Sequence, residues 1–359
     1  MWVSFMVNIR EATEKDNQAL IELGANCPQG TNLILNIDSS PDFFARSRPF
    51  KDWSVLVAVD DGCIVGSAGY AVNDVLVEKT PVKVAYEYGF MVDPKDRRKG
   101  IAAKLQEHIE CYAKKKSVDL LSLTIIEDNL PSMSLFSKMG FKKVKDCATY
   151  SLMVHKKLKL VREANIRRVE ESDLGGVVSL INEMHEGYNF FHPLRTSDLL
   201  NYARRTPGFS LDNIFVFEDS EGIRACLGCW DYVKVRKYIV QRFSWRLKAQ
   251  LFMLRIAGLF ADTPHIPRPG EPLLSYNLTT LAFKDSASII DLIKHVNNIA
   301  FENKIHLLHV PVDLESPAAE VLSGFRHARV GFQFFVKSLS GKKFPRLGET
   351  KLYVDATEI

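Results

Sequence analysis

The chain repeats itself, and the repeat limits the folds open to it. Asn8-Ile9-Arg10-Glu11-Ala12-Thr13-Glu14-Lys15-Asp16 matches Asn165-Ile166-Arg167-Arg168-Val169-Glu170-Glu171-Ser172-Asp173, with Asn, Ile, Arg, Glu and Asp at the same places; Leu23 then falls on Leu180. Each copy reads as a short strand, a polar N-cap candidate and an amphipathic helix. Residues 55–59, the turn Asp60-Asp61-Gly62 and residues 64–71 predict a β-hairpin, and 214–218, 219–222 and 223–233 repeat that layout. A third echo is a predicted strand–helix–strand unit. It uses 120–126, 132–139 and the strand after Phe141 in one half, and 307–312, 317–322 and 330–339 in the other. We read two tandem domains, 1–157 and 164–340, each a mixed α/β (α+β) sheet, and a length of 359 residues fits two. Residues 155–163, rich in lysine, form a linker or the end of a strand. The tail 341–359 carries a strand-like Leu352-Tyr353-Val354.

Composition sets outer limits. Hydrophobic residues at 46% and charged residues at 25% describe an ordinary globular chain, and a net charge of +4 does not argue for nucleic acid. No apolar run approaches the ~20 residues that span a bilayer, and Met1–Met6 lacks the basic and long apolar regions of a secretory signal. Six cysteines without framework spacing fit a reducing, cytoplasmic setting. Cys226-Leu227-Gly228-Cys229 lies in a predicted strand without a second ligand pair, so it reads as buried thiols and no metal site is expected.

The chemistry concentrates at Val92-Asp93-Pro94-Lys95-Asp96-Arg97-Arg98-Lys99-Gly100-Ile101-Ala102, which follows an apolar strand and opens an amphipathic helix. A strand, a basic glycine-containing loop and a helix N-terminus together build a nest of backbone N–H groups suited to phosphate. Amides from Arg98 to Ala102 would converge on a diphosphate. Gly100 would allow positive φ and close approach, small Ala102 would leave room, and Arg97, Arg98 and Lys99 would add charge at the rim. Ile101, Leu105, Ile109 and Tyr112 form the apolar stripe of the helix that follows.

Arg97-x-x-Gly100-x-Ala102 resembles the Arg/Gln-x-x-Gly-x-Gly/Ala pyrophosphate loop of the GNAT N-acetyltransferases. Asn129-Leu130-Pro131-Ser132-Met133-Ser134-Leu135-Phe136-Ser137-Lys138-Met139-Gly140-Phe141 resembles that family's next signature. The resemblance covers about residues 7–155. It implies tandem GNAT-like domains, acetyl-CoA as co-substrate without a metal, and a thioester held between splayed strands by backbone amides near Phe90, Met91 and Val92. It also implies coenzyme contacts at Ile101, Asn129 and Ser132. Phe136 stands where the family often has a tyrosine that protonates the leaving thiolate, so that proton would come from elsewhere. Glu87 is the candidate base; a shift of one residue would place Tyr86 there and turn the side chain to the other face. Glu127 and Asp128 are weaker alternatives.

The second half lacks the loop. Lys284-Asp285-Ser286-Ala287-Ser288 has no glycine, and Asp285 would repel a diphosphate while capping a helix, so we read a degenerate copy that walls off the acceptor. Its insertion, 235–272, interleaves Arg236, Lys237, Arg242, Arg246, Lys248 and Arg255 with aromatic and aliphatic residues. We expect a helix packed on the domain with snorkelling basic side chains. His185, Tyr188, Phe190 and Phe191 form an aromatic segment near where the fold commonly places its acceptor pocket. The tandem layout is similar to plant hookless-type probable N-acetyltransferases. These features together predict an acetyl-CoA-dependent N-acetyltransferase acting on a small-molecule or peptide amine in the first half. The alternative is a non-catalytic acyl-CoA-binding sensor. The sequence does not set the acceptor or the oligomeric state.

Overall fold

The computed structural model describes residues 7–257, 263–265, 267–344 and 346–358; Met1–Met6 and part of the 235–272 insertion, including the side chains of Leu254 and Arg255, lie outside the described residues. The first half runs β1 (Asn8–Glu11), α1 (Asn17–Asn26), β2 (Leu33–Asp38), β3 (Trp53–Asp60), β4 (Cys63–Val77), β5 (Thr80–Val92), α2 (Ile101–Lys115), β6 (Leu120–Ile126), α3 (Leu130–Lys138) and β7 (Lys142–Met153). The second runs β8 (Ile166–Arg168), α4 (Leu174–Met184), α5 (Thr196–Arg205), β9 (Ile214–Asp219), β10 (Gly222–Trp230), β11 (Lys237–Phe243), α6 (Trp245–Ala257) and β12 (Pro272–Leu273). It ends with β13 (Ser275–Phe283), α7 (Ser286–Glu302), β14 (Leu307–Asp313), α8 (Pro317–Ser323) and β15 (His327–Ser338).

The repeated motif has a physical cause. Arg10 grips Asp16 through two bonds of 2.7 Å, and Asp16 also accepts the Thr13 N–H. Arg167 holds Asp173 in the same fork, at 2.5 and 2.8 Å, and Asp173 accepts the Glu170 N–H. In each half one aspartate ties the first strand to the start of the first helix. A charge-assisted fork of this kind fixes geometry as well as adding energy.

Twelve strands form one sheet in the order β1-β3-β4-β5-β6-β15-β7-β14-β13-β10-β9-β8. The hairpins predicted from 55–71 and from 214–233 are present as β3–β4 and β9–β10. The strand–helix–strand units close differently from a simple tandem. β7 does not lie beside β6: β15 inserts between them, antiparallel to both, and β7 pairs on its other edge with β14. Each half therefore delivers its last strand into the other. The main core of the second half accordingly contains Ala148, Tyr150 and Leu152 of β7 packed with Leu278, Leu292 and Leu308. The lysine-rich connection is stapled to α7, where Asn298 Oδ1 accepts the Leu158 N–H and Asp291 pairs with Arg162 at 3.1 Å.

A second, three-stranded sheet joins the halves. β11 pairs antiparallel with β2, from Lys237↔Asp38 to Phe243↔Leu33. The insertion expected as one basic helix thus begins as a strand laid over the first half, and only then becomes α6. Among the described residues no helix is long and apolar enough to cross a membrane.

Candidate active site

Parallel pairing between β5 and β6 runs from Val84↔Leu120 to Glu87↔Leu123 and stops there. Just beyond, β5 bulges: its register with β4 passes from Gly69↔Tyr88 to Ser67↔Met91, and Gly89 takes φ +65°. The extra residue turns the strand, so Phe90 packs on the α2 side while Met91 joins Leu20 and Leu23 on the other. Two parallel strands that part at their C-terminal ends leave a wedge between them, and β5 leads from that wedge into the basic loop.

The loop has the form its sequence requires. Asp93 caps a short turn by accepting the Lys95 N–H at 2.9 Å. Arg98 and Gly100 then both lie in the left-handed region, at φ +66° and +80°. Two such residues around Lys99 curl the backbone at the start of α2. The first intrahelical bond is Lys104 N–H to Gly100 O, so the amides of Ile101 and Ala102 precede the ladder, and Gly100 offers no side-chain cap. A Cβ on Gly100 would meet nothing within 4 Å, so its glycine is a matter of φ rather than of space. Arg97 folds back, its Nε donating to Val92 O at 3.2 Å, and Lys99 pairs with Asp96 at 2.6 Å. Asn129 accepts the Ser132 N–H at 3.3 Å and caps α3. Phe136 is buried between Phe90 and Phe141, with ring centroids at 5.0 and 5.5 Å.

Glu87, the candidate base, faces α2. Its side chain lies under α2, fully buried, and accepts from Gln106 Nε2 at 2.9 Å. Burial pushes the carboxyl up to about 8. Alternation along β5 sends Tyr86 and Tyr88 to the opposite face, where they stack on each other at 5.7 Å and Tyr88 stacks on Phe50 at 5.4 Å. The thickness of the sheet separates Glu87 from that face.

The Tyr88 face holds residues that sequence reasoning passed over. Tyr88 donates to Ser47 Oγ at 2.8 Å, and the Arg46 guanidinium lies 4.8 Å from the centre of the Tyr88 ring. Arg46 Nη1 also lies 3.8 Å from where a Cβ on Gly89 would stand, directly beside the bulge. Tyr232, Val235 and Tyr238 of the second half belong to the same apolar cluster as Ala45. The one available signal was Tyr86-x-Tyr88: two aromatics at strand period on the face opposite Glu87.

The second half keeps the wedge and fills it. β13 and β14 pair only from Ser275↔Leu307 to Asn277↔His309, and β13 bulges where Thr280 takes φ +48°. The chain's own tail enters the gap: Leu352 N donates to Asp313 Oδ2 at 2.8 Å, and Leu352, Tyr353 and Val354 line the cleft with Thr280. His185 is buried there with its ring against Tyr188, Phe191 and Tyr353. At the α7 N-terminus Asp285 accepts the Ser288 N–H at 2.9 Å, taking an amide that an anion would need. Cys226 and Cys229 are buried free thiols.

Known proteins share parts of this arrangement. Residues 28–141 match the acetyltransferase (GNAT) family. The L-amino acid N-acetyltransferase AaaT of Escherichia coli K12 is 29% identical over 137 residues, which are 37% of this chain and 82% of that protein. Saccharomyces cerevisiae N-myristoyltransferase with bound myristoyl-CoA superposes with a TM-score of 0.66 over 99% of this chain and 90% of its own, at 11% identity. A probable N-acyltransferase from Enterococcus faecalis superposes at 0.50 over 93% of this chain and 73% of that one, at 9% identity. None of these three is a hookless-type protein. The family match, the bulged and splayed β5–β6 pair and the loop at Gly100 coincide in the first half of the molecule, where residues 28–141 are similar to the acetyltransferase (GNAT) family.

Proposed function

We propose that the chain is an N-acetyltransferase that moves an acetyl group from acetyl-CoA to a primary amine, with the first half as the catalytic copy. The observation that carries this reading is the continuity of the β5 bulge with the amide nest at Arg98–Ala102. A coenzyme whose diphosphate sits on the nest would run its arm along the wedge and bring its thioester to Phe90–Val92. Arg97 would have to release Val92 O for that carbonyl to accept from the arm.

The acceptor approaches from the Tyr88 face, between the halves. The amine, having given one proton to solvent, attacks the thioester carbonyl and sheds a second to solvent as the amide forms. Backbone amides at the bulge stabilise the oxyanion that forms, and the C–S bond breaks as the thiolate takes a proton. Phe136 has none to give, so that proton comes from solvent or from a hydroxyl on the acceptor side. Glu87 acts in this scheme as a positioning residue that fixes α2 on β5. The second copy contributes β11 and the Tyr232 region as a wall, its own wedge being closed by the tail.

Calorimetric titration with acetyl-CoA and with longer acyl-CoAs, followed by thiol release over a panel of amines, tests the proposal. Expected is binding that Gly100→Glu abolishes, with release dependent on an amine. Binding without release for any amine favours the sensor reading, which rests on Phe136 replacing the usual acid. No binding removes both readings.

A further inference from the structure

Arg46 is more than nine-tenths buried and has no ion-pair partner among the described residues. Its Nε makes no hydrogen bond. Arg236, reaching across from the second half, is half-buried, and its Nε too is buried without a partner. Both guanidiniums act on the phenols of Tyr88 and Tyr238, so they share one neighbourhood. The Tyr232 hydroxyl, against Tyr238 at 6.5 Å between ring centres, is a third buried polar group there without a partner. Two like charges side by side, one buried and one half-buried, without an acid are unfavourable twice over, through lost hydration and mutual repulsion. The Tyr88 ring under Arg46 offsets part of this, but a ring face satisfies no N–H. The two Nε–H groups lack an acceptor, and a carboxylate would supply one together with the missing negative charge.

We propose that Arg46 and Arg236, with the Tyr232 hydroxyl, bind the carboxylate of the acceptor, so that the amine acetylated is that of an amino acid. The proposal rests on the acetyltransferase reading above and names its substrate class. Its geometry follows from the bulge. Arg46 Nη1 lies beside Gly89, so a carboxylate held there leaves an α-amino group, two bonds away, next to the thioester position at Phe90. A planar guanidinium fits a carboxylate through two parallel bonds, which also fixes the direction of the amine. The contact explains why β11 is laid across the first half: it delivers Arg236. It also explains the tyrosine lining, which supplies hydroxyl donors and leaves no carboxylate to compete.

The test compares turnover of a panel of L-amino acids with turnover of their carboxamides, which keep the amine and lose the charge. A kcat/KM about 100-fold higher for the acid is expected, with the loss mainly in KM. Arg46→Met should erase that preference, and Arg46→Lys should restore part of it. Arg236→Met, at the less buried position, serves if Arg46→Met does not fold. Acyl-CoA affinity, measured by calorimetry, reports that each variant retains the coenzyme site. Equal turnover of acids and amides by the unmodified protein overturns the carboxylate site while leaving the acetyltransferase reading intact. If no amine is turned over, that reading falls. The arginine pair is then judged by calorimetry of N-acetyl-L-amino acids against their amides with CoA present. Preference for the acid sustains the site, and equal affinity overturns it in favour of an ordered water between the two arginines.

Discussion

Gln106 donates to Glu87 across 2.9 Å, and the pair is sealed between β5 and α2 with Glu87 Oε2 and Gln106 Oε1 both left without a partner. Two buried acceptors and no donor is a poor arrangement, and a proton on Glu87 turns one of them into a donor. Burial favours the same form, acting against the hydrogen bond from Gln106 and the charge of Lys337. Glu110 adds to the upward push, although Lys337 itself pairs with Glu110 at 2.5 Å.

This protonation makes stability depend on pH. The folded carboxyl titrates near 8 and an unfolded glutamate near 4.5, so between these values only the folded chain holds the proton. The contribution is present in full below about pH 4.5 and is lost as pH rises through 8. Glu87→Gln stays neutral throughout and keeps a donor and an acceptor. Urea midpoints at pH 5 and pH 9 should show the variant gaining on the unmodified protein by a few kcal/mol, since each tenfold change in proton affinity is worth ~1.4 kcal/mol. A constant difference at the two pH values would mean that Glu87 is already ionised.

The Arg10–Asp16 fork gives the opposite slope. The Arg10 hydrogen bonds hold the Asp16 carboxyl well below the ordinary carboxylate range, with burial working against them and the Thr13 amide helping. Stability from this group is therefore present above about pH 4 and lost as pH falls further. Arg10 is partly exposed, so solvent screening keeps the value modest. Asp16→Asn, which also weakens the cap of the first turn, should cost about 1–2 kcal/mol at pH 7 and less at pH 2, where the unfolded carboxyl is protonated and part of the difference is already lost. Asp173→Asn should behave alike, and chemical denaturation at the two pH values reads both.

Gly66 sets where α2 begins. A Cβ there would lie 2.9 Å from Ile101 Cγ2 and 3.1 Å from Met91 O, between the first residue of α2 and the strand that carries the bulge. Gly66→Ala must push one of them away, at a cost of about 1–3 kcal/mol for overpacking. Because Ile101 adjoins Gly100, the displacement should also weaken acetyl-CoA binding, by about 10-fold if it removes one phosphate contact worth ~1.4 kcal/mol. Calorimetry beside a thermal melt separates the effects: lost stability with unchanged affinity would show that the loop does not depend on this packing.

Local patterns revealed the parts of the fold that local forces build. The recurrence of Asn-Ile-Arg and Asp signalled a repeated clasp, the hairpin turns stood where glycine and aspartate put them, and Gly100 was legible because only a left-handed residue suits that corner. The exchange of β7 and β15 was not legible, because both strands have ordinary alternating patterns and nothing in such a pattern says which neighbour a strand will choose. The site divided in the same way. The loop is continuous in sequence and could be read. Arg46 and Arg236 come from different halves, and an arginine in a run of basic residues looks like a solvated one until β11 is seen lying on β2. Glu87 was read as the candidate base, and the face it occupies depended on the register of a single strand.

The exchange of strands predicts that neither half stands alone. Residues 1–157, expressed by themselves, would present β6 and β7 with the gap that β15 fills between them, and β7 would also lose β14. Open edges on both strands, and apolar side chains such as Tyr150 and Leu152 exposed that now pack in the second half's core, leave too little buried surface to offset the ordering of the chain. The fragment should be unfolded or aggregated by circular dichroism and size exclusion, as should 158–359. Produced together, the two pieces should recover a 1:1 complex of native size, since only the connection across α7 is cut and its contacts at Asn298 and Asp291 can re-form. A monomeric 1–157 fragment with a cooperative melt would show that the first copy folds without its borrowed strand. The interlock would then be a late docking step rather than a condition of folding.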